Sequence, residues 1–181
     1  MITIDELAIP ESLDDATSAD FVRALEVGNV AEALSYGTAD LAYEPAEELP
    51  HYLDAFNPHR LLVARVEGTI VGRAVYESGL GDDADTAWIC VEVLPEYRGR
   101  GVGTALADAV EALVVGEGKK KAVVYIGVQD AAGPRLTSPT GFGSVPAETR
   151  DSRFLLARAY CFEQVERLSR LELPVAGLSE L

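Results

Sequence analysis

Apolar positions along the chain recur in two periods, and each change of period marks an element. Met1 to Ile9 alternates as a short first strand that Pro10 ends. Ser18 is placed to cap a helix running to about Tyr36, with Phe21, Leu25 and Leu34 among its apolar positions. The acidic, proline-containing stretch ADLAYEPAEELPHYLDAFNPH predicts a second short helix after Pro45. RLLVARVEG and TIVGRAVYES alternate as two strands, and Glu67-Gly68 between them predicts an antiparallel hairpin. After the loop GLGDDAD, TAWICVEV predicts a strand with Trp88, Cys90 and Glu92 on one face and Ile89, Val91 and Val93 on the other.

The period then turns helical from about Val102 to Val115, ended by Gly116 and Gly118. KKKAVVYIGV predicts a buried strand whose leading lysines lie where a helix C-terminus favours positive charge. QDAAGPRLTSPTGFGSVPAETRD predicts a long irregular loop. A helix over Asp151 to Arg158 and a strand over YCFEQVERLSRLEL complete the pattern. Strands alternate with helices around a hairpin. The expected fold class is therefore α/β, with a mixed, mainly antiparallel sheet flanked by helices, rather than a doubly wound parallel sheet. A single domain is expected over residues 1–173, and residues 174–181 read as a tail or linker to a second domain.

Charge and cysteine content narrow the function classes. The 15 basic and 30 acidic residues leave a net charge of −15, which repels nucleic acid and anionic lipid. No apolar run approaches the roughly 18–20 residues that cross a bilayer, and the acidic N-terminus does not read as a secretory signal. Two cysteines, Cys90 and Cys161, suit a reducing compartment, so a cytoplasmic location is expected. His51 and His59 stand at no ligand spacing to them, so no metal site is expected.

Against this acidity, VLPEYRGRGVGTALADAVEALV places Arg98 and Arg100 among Gly99, Gly101 and Gly103, between a strand and a helix. The first amides of a helix lack intrahelical acceptors and carry partial positive charge. Glycines let an anion approach those amides, and the arginines add charge. The pattern is that of a phosphate site. It is neither the triphosphate loop Gly-x4-Gly-Lys-Ser/Thr nor the dinucleotide Gly-x-Gly-x-x-Gly.

Arg98-Gly99-Arg100-Gly101-Val102-Gly103 resembles the Arg/Gln-x-x-Gly-x-Gly/Ala signature of the GCN5-related N-acetyltransferases, the GNAT superfamily. The resemblance runs from about Arg60 to Phe162 and includes the strand before the signature and the Ala/Leu-rich helix after it. It implies acetyl-CoA as co-substrate. Backbone groups of Val91 and Val93 would pair with the pantetheine arm, and amides from Gly99, Arg100, Gly101, Val102, Gly103 and Thr104 would hold the pyrophosphate. An amide near Val93 would polarise the reacting carbonyl.

The implied reaction is acetyl transfer to a primary amine of a small molecule or peptide, in a cleft between the first helices and the loop from Gly133 to Thr149. The attacking amine must be neutral, and Glu92 is the candidate proton acceptor. The family's usual tyrosine acid would fall at Leu156, so that acid is absent; Tyr125 and Tyr160 are the substitutes to weigh. The opening residues and the tail also resemble the N-terminal domain of tandem actinobacterial-type acetyltransferases. The partner on that reading is a second GNAT-like domain; a homodimer is the alternative. The competing function is a CoA-binding scaffold domain without turnover.

Overall fold

The computed structural model describes residues 1–166. Its elements are β1 (Ile2–Glu6), α1 (Ser18–Tyr36), α2 (Pro45–Tyr52), β2 (His59–Val66), β3 (Thr69–Ser78), β4 (Thr86–Val93), α3 (Val102–Gly116), β5 (Lys121–Val124), β6 (Arg135–Thr137), β7 (Ser144–Pro146) and α4 (Arg150–Ala157). The chain divides into two compact units, Met1–Gln129 and a second from Asp130 onward. Among the described residues no helix is long and apolar enough to cross a membrane.

The first unit is a five-stranded sheet in the order β1-β2-β3-β4-β5. All its pairings are antiparallel except β4 with β5. This is the mixed, mainly antiparallel α/β sheet that the periodicity predicts. The hairpin forms where expected because Glu67 and Gly68 both take positive φ, 52° and 82°, which matches the twist of a two-residue hairpin turn.

Adjacent strand residues point to opposite faces, and that places the helices. Leu106 and Val102 of α3 crowd the Cβ position of Gly72 on one face. Arg73, the next residue, lies under Gly28 of α1 on the other. The α1 face is filled by Phe21, Leu25, Leu49, Tyr52, Leu61 and Val63, and the rings of Phe21 and Tyr52 meet edge-on at 5.4 Å. Burying a side chain of this size contributes about 1.5–3 kcal/mol.

Several boundaries differ from expectation. Thr17, not Ser18, occupies the cap of α1, and its side chain makes no cap hydrogen bond. β1 ends at Glu6, and the residues to Ile9 lie outside it. β5 stops at Val124, four residues short of the expected end, because its register with β4 ends at Ile89. The expected irregular loop carries a small hairpin, β6 with β7. Thr149 caps α4, its Oγ1 accepting from the Ser152 amide at 3.1 Å. The expected last strand is absent over Tyr160 to Glu166, and its remainder, with the Pro174 tail, lies outside the described residues.

Candidate functional site

The chain after β4 turns sharply and enters α3. Gly99 and Gly101 take φ of 71° and 85°, a region that costs other residues about 1–2 kcal/mol. The helical ladder begins when the Ala105 amide donates to the Gly101 carbonyl at 3.0 Å. The amides of Val102, Gly103 and Thr104 precede that bond, and no side chain caps them. Gly103 is already helical, and a Cβ there would meet only Val93 Cγ2, at an ordinary 3.7 Å. The fold therefore does not require a glycine at 103, and its bare backbone leaves the amides open to close approach.

The two arginines play different parts. Arg98 turns back, and its Nε donates to the Val93 carbonyl at 2.7 Å, tying the turn to the end of β4. Arg100 is exposed and lies over the Tyr97 ring, 5.6 Å from its centroid. The sequence suggested equal roles as cations. The structure makes Arg98 a tether as well, through a backbone contact that only the fold creates.

Beyond Ile89, β4 has no partner on its β5 side among the described residues. The Leu94 amide bonds to Val71 and the Thr86 carbonyl accepts from Gly79, so even-numbered residues of β4 direct backbone groups toward the β3 side. Val91 and Val93 consequently direct theirs to the open edge. The two valines and the turn from Arg98 to Thr104 thus lie in succession along one edge of the sheet. The Val93 carbonyl is the exception, already held by Arg98.

On the α1 face, Glu92 is buried, with its side chain 7% exposed. Its Oε2 accepts from Arg73 Nε, a contact that sequence reasoning missed. The signal was an arginine inside the apolar run IVGRAVY: a charge there needs a partner, and strand register sets Glu92 directly opposite. Glu32 of α1 is the third member, its Oε1 3.9 Å from Arg73 Nη2. Burial pushes the Glu32 carboxyl up, Glu92 adds to that, and Arg73 opposes it. Burial likewise raises the Cys90 thiol, with Glu92 contributing.

Other candidates lie elsewhere. Tyr125 follows β5 and is 56% exposed, while Tyr160 and Leu156 belong to the second unit. Asp82 and Asp83 occupy an exposed 3-10 turn, and Asp85 faces Lys120 and Lys121 at 3.8 and 3.7 Å. The acidic loop and the lysine run therefore face each other in part, as ordinary surface ion pairs.

Residues 31–135, more than half of the chain, match the model of the acetyltransferase (GNAT) family. The chain belongs to the GNAT acetyltransferase family. No curated protein matches it significantly. Among solved structures, yncA of Salmonella typhimurium, which contains its cofactor acetyl-CoA, is 21% identical with a TM-score of 0.55, covering 70% of each chain. An aminoglycoside acetyltransferase from an uncultured soil metagenomic sample, solved with trehalose and with sisomicin, is 16% identical with a TM-score of 0.55, covering 96% of each chain. A ribosomal-protein-alanine N-acetyltransferase from Brucella melitensis is 14% identical with a TM-score of 0.52, covering 96% of this chain and 98% of that one. At such identities these three likenesses are of fold. The GNAT assignment rests on the family match, which takes in the last six residues of α1, the whole β2–β5 sheet and the α3 turn.

Proposed function

We propose that this GNAT protein moves an acetyl group from acetyl-CoA to a primary amine by direct attack in a ternary complex. The observation that carries the reading is the alignment of two backbone arrays that have no partner among the described residues: the edge of β4 beyond Ile89, and the uncapped amides of Val102, Gly103 and Thr104. An extended amide-bearing arm suits the first, and a pyrophosphate suits the second. Acetyl-CoA would supply the activated acyl carbon. This chain's residues would do the rest. Gly99 and Gly101 open the turn, Arg100 adds charge, and Arg98 holds the turn against β4. The Val93 amide faces the open edge, where it can donate to the reacting carbonyl. A carboxylate beside that edge must draw off the ammonium proton, the role that the sequence suggested for Glu92.

A second reading is CoA binding without turnover, within a tandem protein whose other domain acts. It draws on Leu156 standing at the place of the family's usual tyrosine. A cytoplasmic location and an amine on a small molecule or peptide complete the proposal.

Calorimetric titration with acetyl-CoA, and separately with coenzyme A, is the test. Saturable binding of both supports the phosphate turn, and thiol release across a panel of amines then separates turnover from mere binding. Absence of binding to millimolar concentration overturns the proposal.

A further inference from the structure

The C-terminal half of α1 carries a stripe that the phosphate turn does not explain. Gly28, Glu32 and Tyr36 recur every four residues and share one helix face. Their contacts trace a line across the sheet. At Gly28 the face presses on Arg73 of β3, so closely that a Cβ would lie 1.9 Å from its Cζ. At Tyr36 the ring reaches Gly127, beyond the end of β5, where a Cβ would meet it at 3.1 Å. Glu32 lies between these points on the helix, 3.9 Å from Arg73 of β3 and facing Glu92 and Cys90 of β4.

Two independent features point to a ligand below Glu32. One is the edge of β4 beyond Ile89, which no described residue pairs. The other is a charge imbalance: one guanidinium faces two carboxylates, and its Nε is taken by Glu92. The Glu92 side chain is 7% exposed and that of Glu32 is 32%, so Glu32 is the carboxylate that solvent reaches. The groups that face it are Arg73 from β3, Glu92 and Cys90 from β4, Glu48 from α2, and Tyr36 from its own helix. A bound cation would balance the second carboxylate.

We propose that Glu32 anchors the ammonium of the acceptor and takes its proton, which makes the acceptors primary alkylamines that arrive as cations. The N–H proton passes to a Glu32 oxygen, and the electron pair stays on nitrogen. The neutral amine then lies beside the open edge of β4. The proton-accepting role thus moves from buried Glu92 to its more exposed neighbour, and Glu92 becomes a positioning residue that fixes Arg73. A carboxyl raised by burial suits the task, because a base works best with its pKa nearer the working pH. The proposal rests on reading the slot as an acyl-transfer site.

The test uses the full chain with 13C-labelled glutamate carboxyls, titrated with n-butylammonium and with neutral n-butanol, with and without coenzyme A. The Glu32 resonance, assigned by its loss in Glu32→Gln, is expected to move saturably with the ammonium and not with the alcohol. Glu32→Gln is expected to weaken butylammonium binding by at least about tenfold, or ~1.4 kcal/mol. Glu48→Gln should change it less, and Glu32→Asp should keep part of it. The butylammonium response should fade as pH falls and Glu32 is protonated. A Glu32 resonance that does not move, or equal affinity in Glu32→Gln with its circular dichroism unchanged, overturns the proposal. Failure of coenzyme A to bind with the ammonium response intact would sink the acetyl-transfer reading alone.

Discussion

Replacing Gly28 with alanine asks whether α1 is held at its distance from the sheet by the buried ion pair. The added methyl would lie 1.9 Å from Arg73 Cζ and Nη2 and 2.4 Å from Nε. Non-bonded heavy atoms settle at about 3.5–4.0 Å, so the guanidinium must retreat by roughly 1.5 Å. An exposed arginine would swing away at little cost. This one is 10% exposed and its Nε donates to Glu92, so retreat pulls apart a buried pair. Stranding one partner of such a pair costs about 3–5 kcal/mol. Alanine offsets about 1 kcal/mol of this through its better helix propensity. The expected net loss is about 2–4 kcal/mol, a fall in Tm of roughly 4–16 °C for a chain of this size. Urea unfolding can be followed by Trp88, the sole tryptophan, which shares the β4 face with Cys90 and Glu92. The control is Arg73→Ala with Glu92→Gln, where no guanidinium remains under the helix. In that background Gly28→Ala should be neutral or stabilise by up to about 1 kcal/mol. Unchanged stability of the single variant, or an equal loss in both backgrounds, would refute the reasoning.

Three further outcomes are expected. Arg98→Glu with Arg100→Glu should weaken coenzyme A binding by at least about a hundredfold in calorimetry, with the circular dichroism spectrum unchanged; intact affinity removes the turn from the site. Burial pushes the Tyr52 phenol up to about 12 from an ordinary 10.0. The folded state then holds this proton more tightly than the unfolded chain, so the contribution is complete below pH 10 and is lost as pH rises toward about 12. Two pKa units correspond to about 2.7 kcal/mol, and Tyr52→Phe should flatten the alkaline slope of stability. A slope unchanged in Tyr52→Phe would count against this assignment. Finally, a disulfide reagent at pH 8 should label exposed Cys161 quickly and Cys90 at least about tenfold more slowly, because burial disfavours the Cys90 thiolate. Equal rates, read by mass spectrometry of the two peptides, would contradict that account.

Local signals were legible wherever a residue's own chemistry sets the backbone. β4, α2 and the hairpin have the expected bounds to within a residue or two, because alternation, Pro45 and the Glu67-Gly68 pair act within a few residues. The turn was legible for the same reason: Gly99 and Gly101 are the residues that take positive φ cheaply just before a helix. The end of β5 was not legible. VVYIGV is apolar enough to continue as a strand, and it stops because β4 and β5 separate. The expected last strand is likewise absent over Tyr160 to Glu166, since an apolar stretch becomes a strand only where an edge receives it.

The sequence by itself determined the α/β class, the order of elements in the first unit and the glycine-arginine turn, all from patterns a few residues long. Tertiary structure alone decided that Arg73 meets both Glu92 and Glu32, and that Arg98 bonds to Val93. Those partners are separated by as many as 41 residues, and a charge has no period that announces them. Burial supplies the reason they meet. A guanidinium shut between helix and sheet must find carboxylates, and only the packed fold fixes which are within reach.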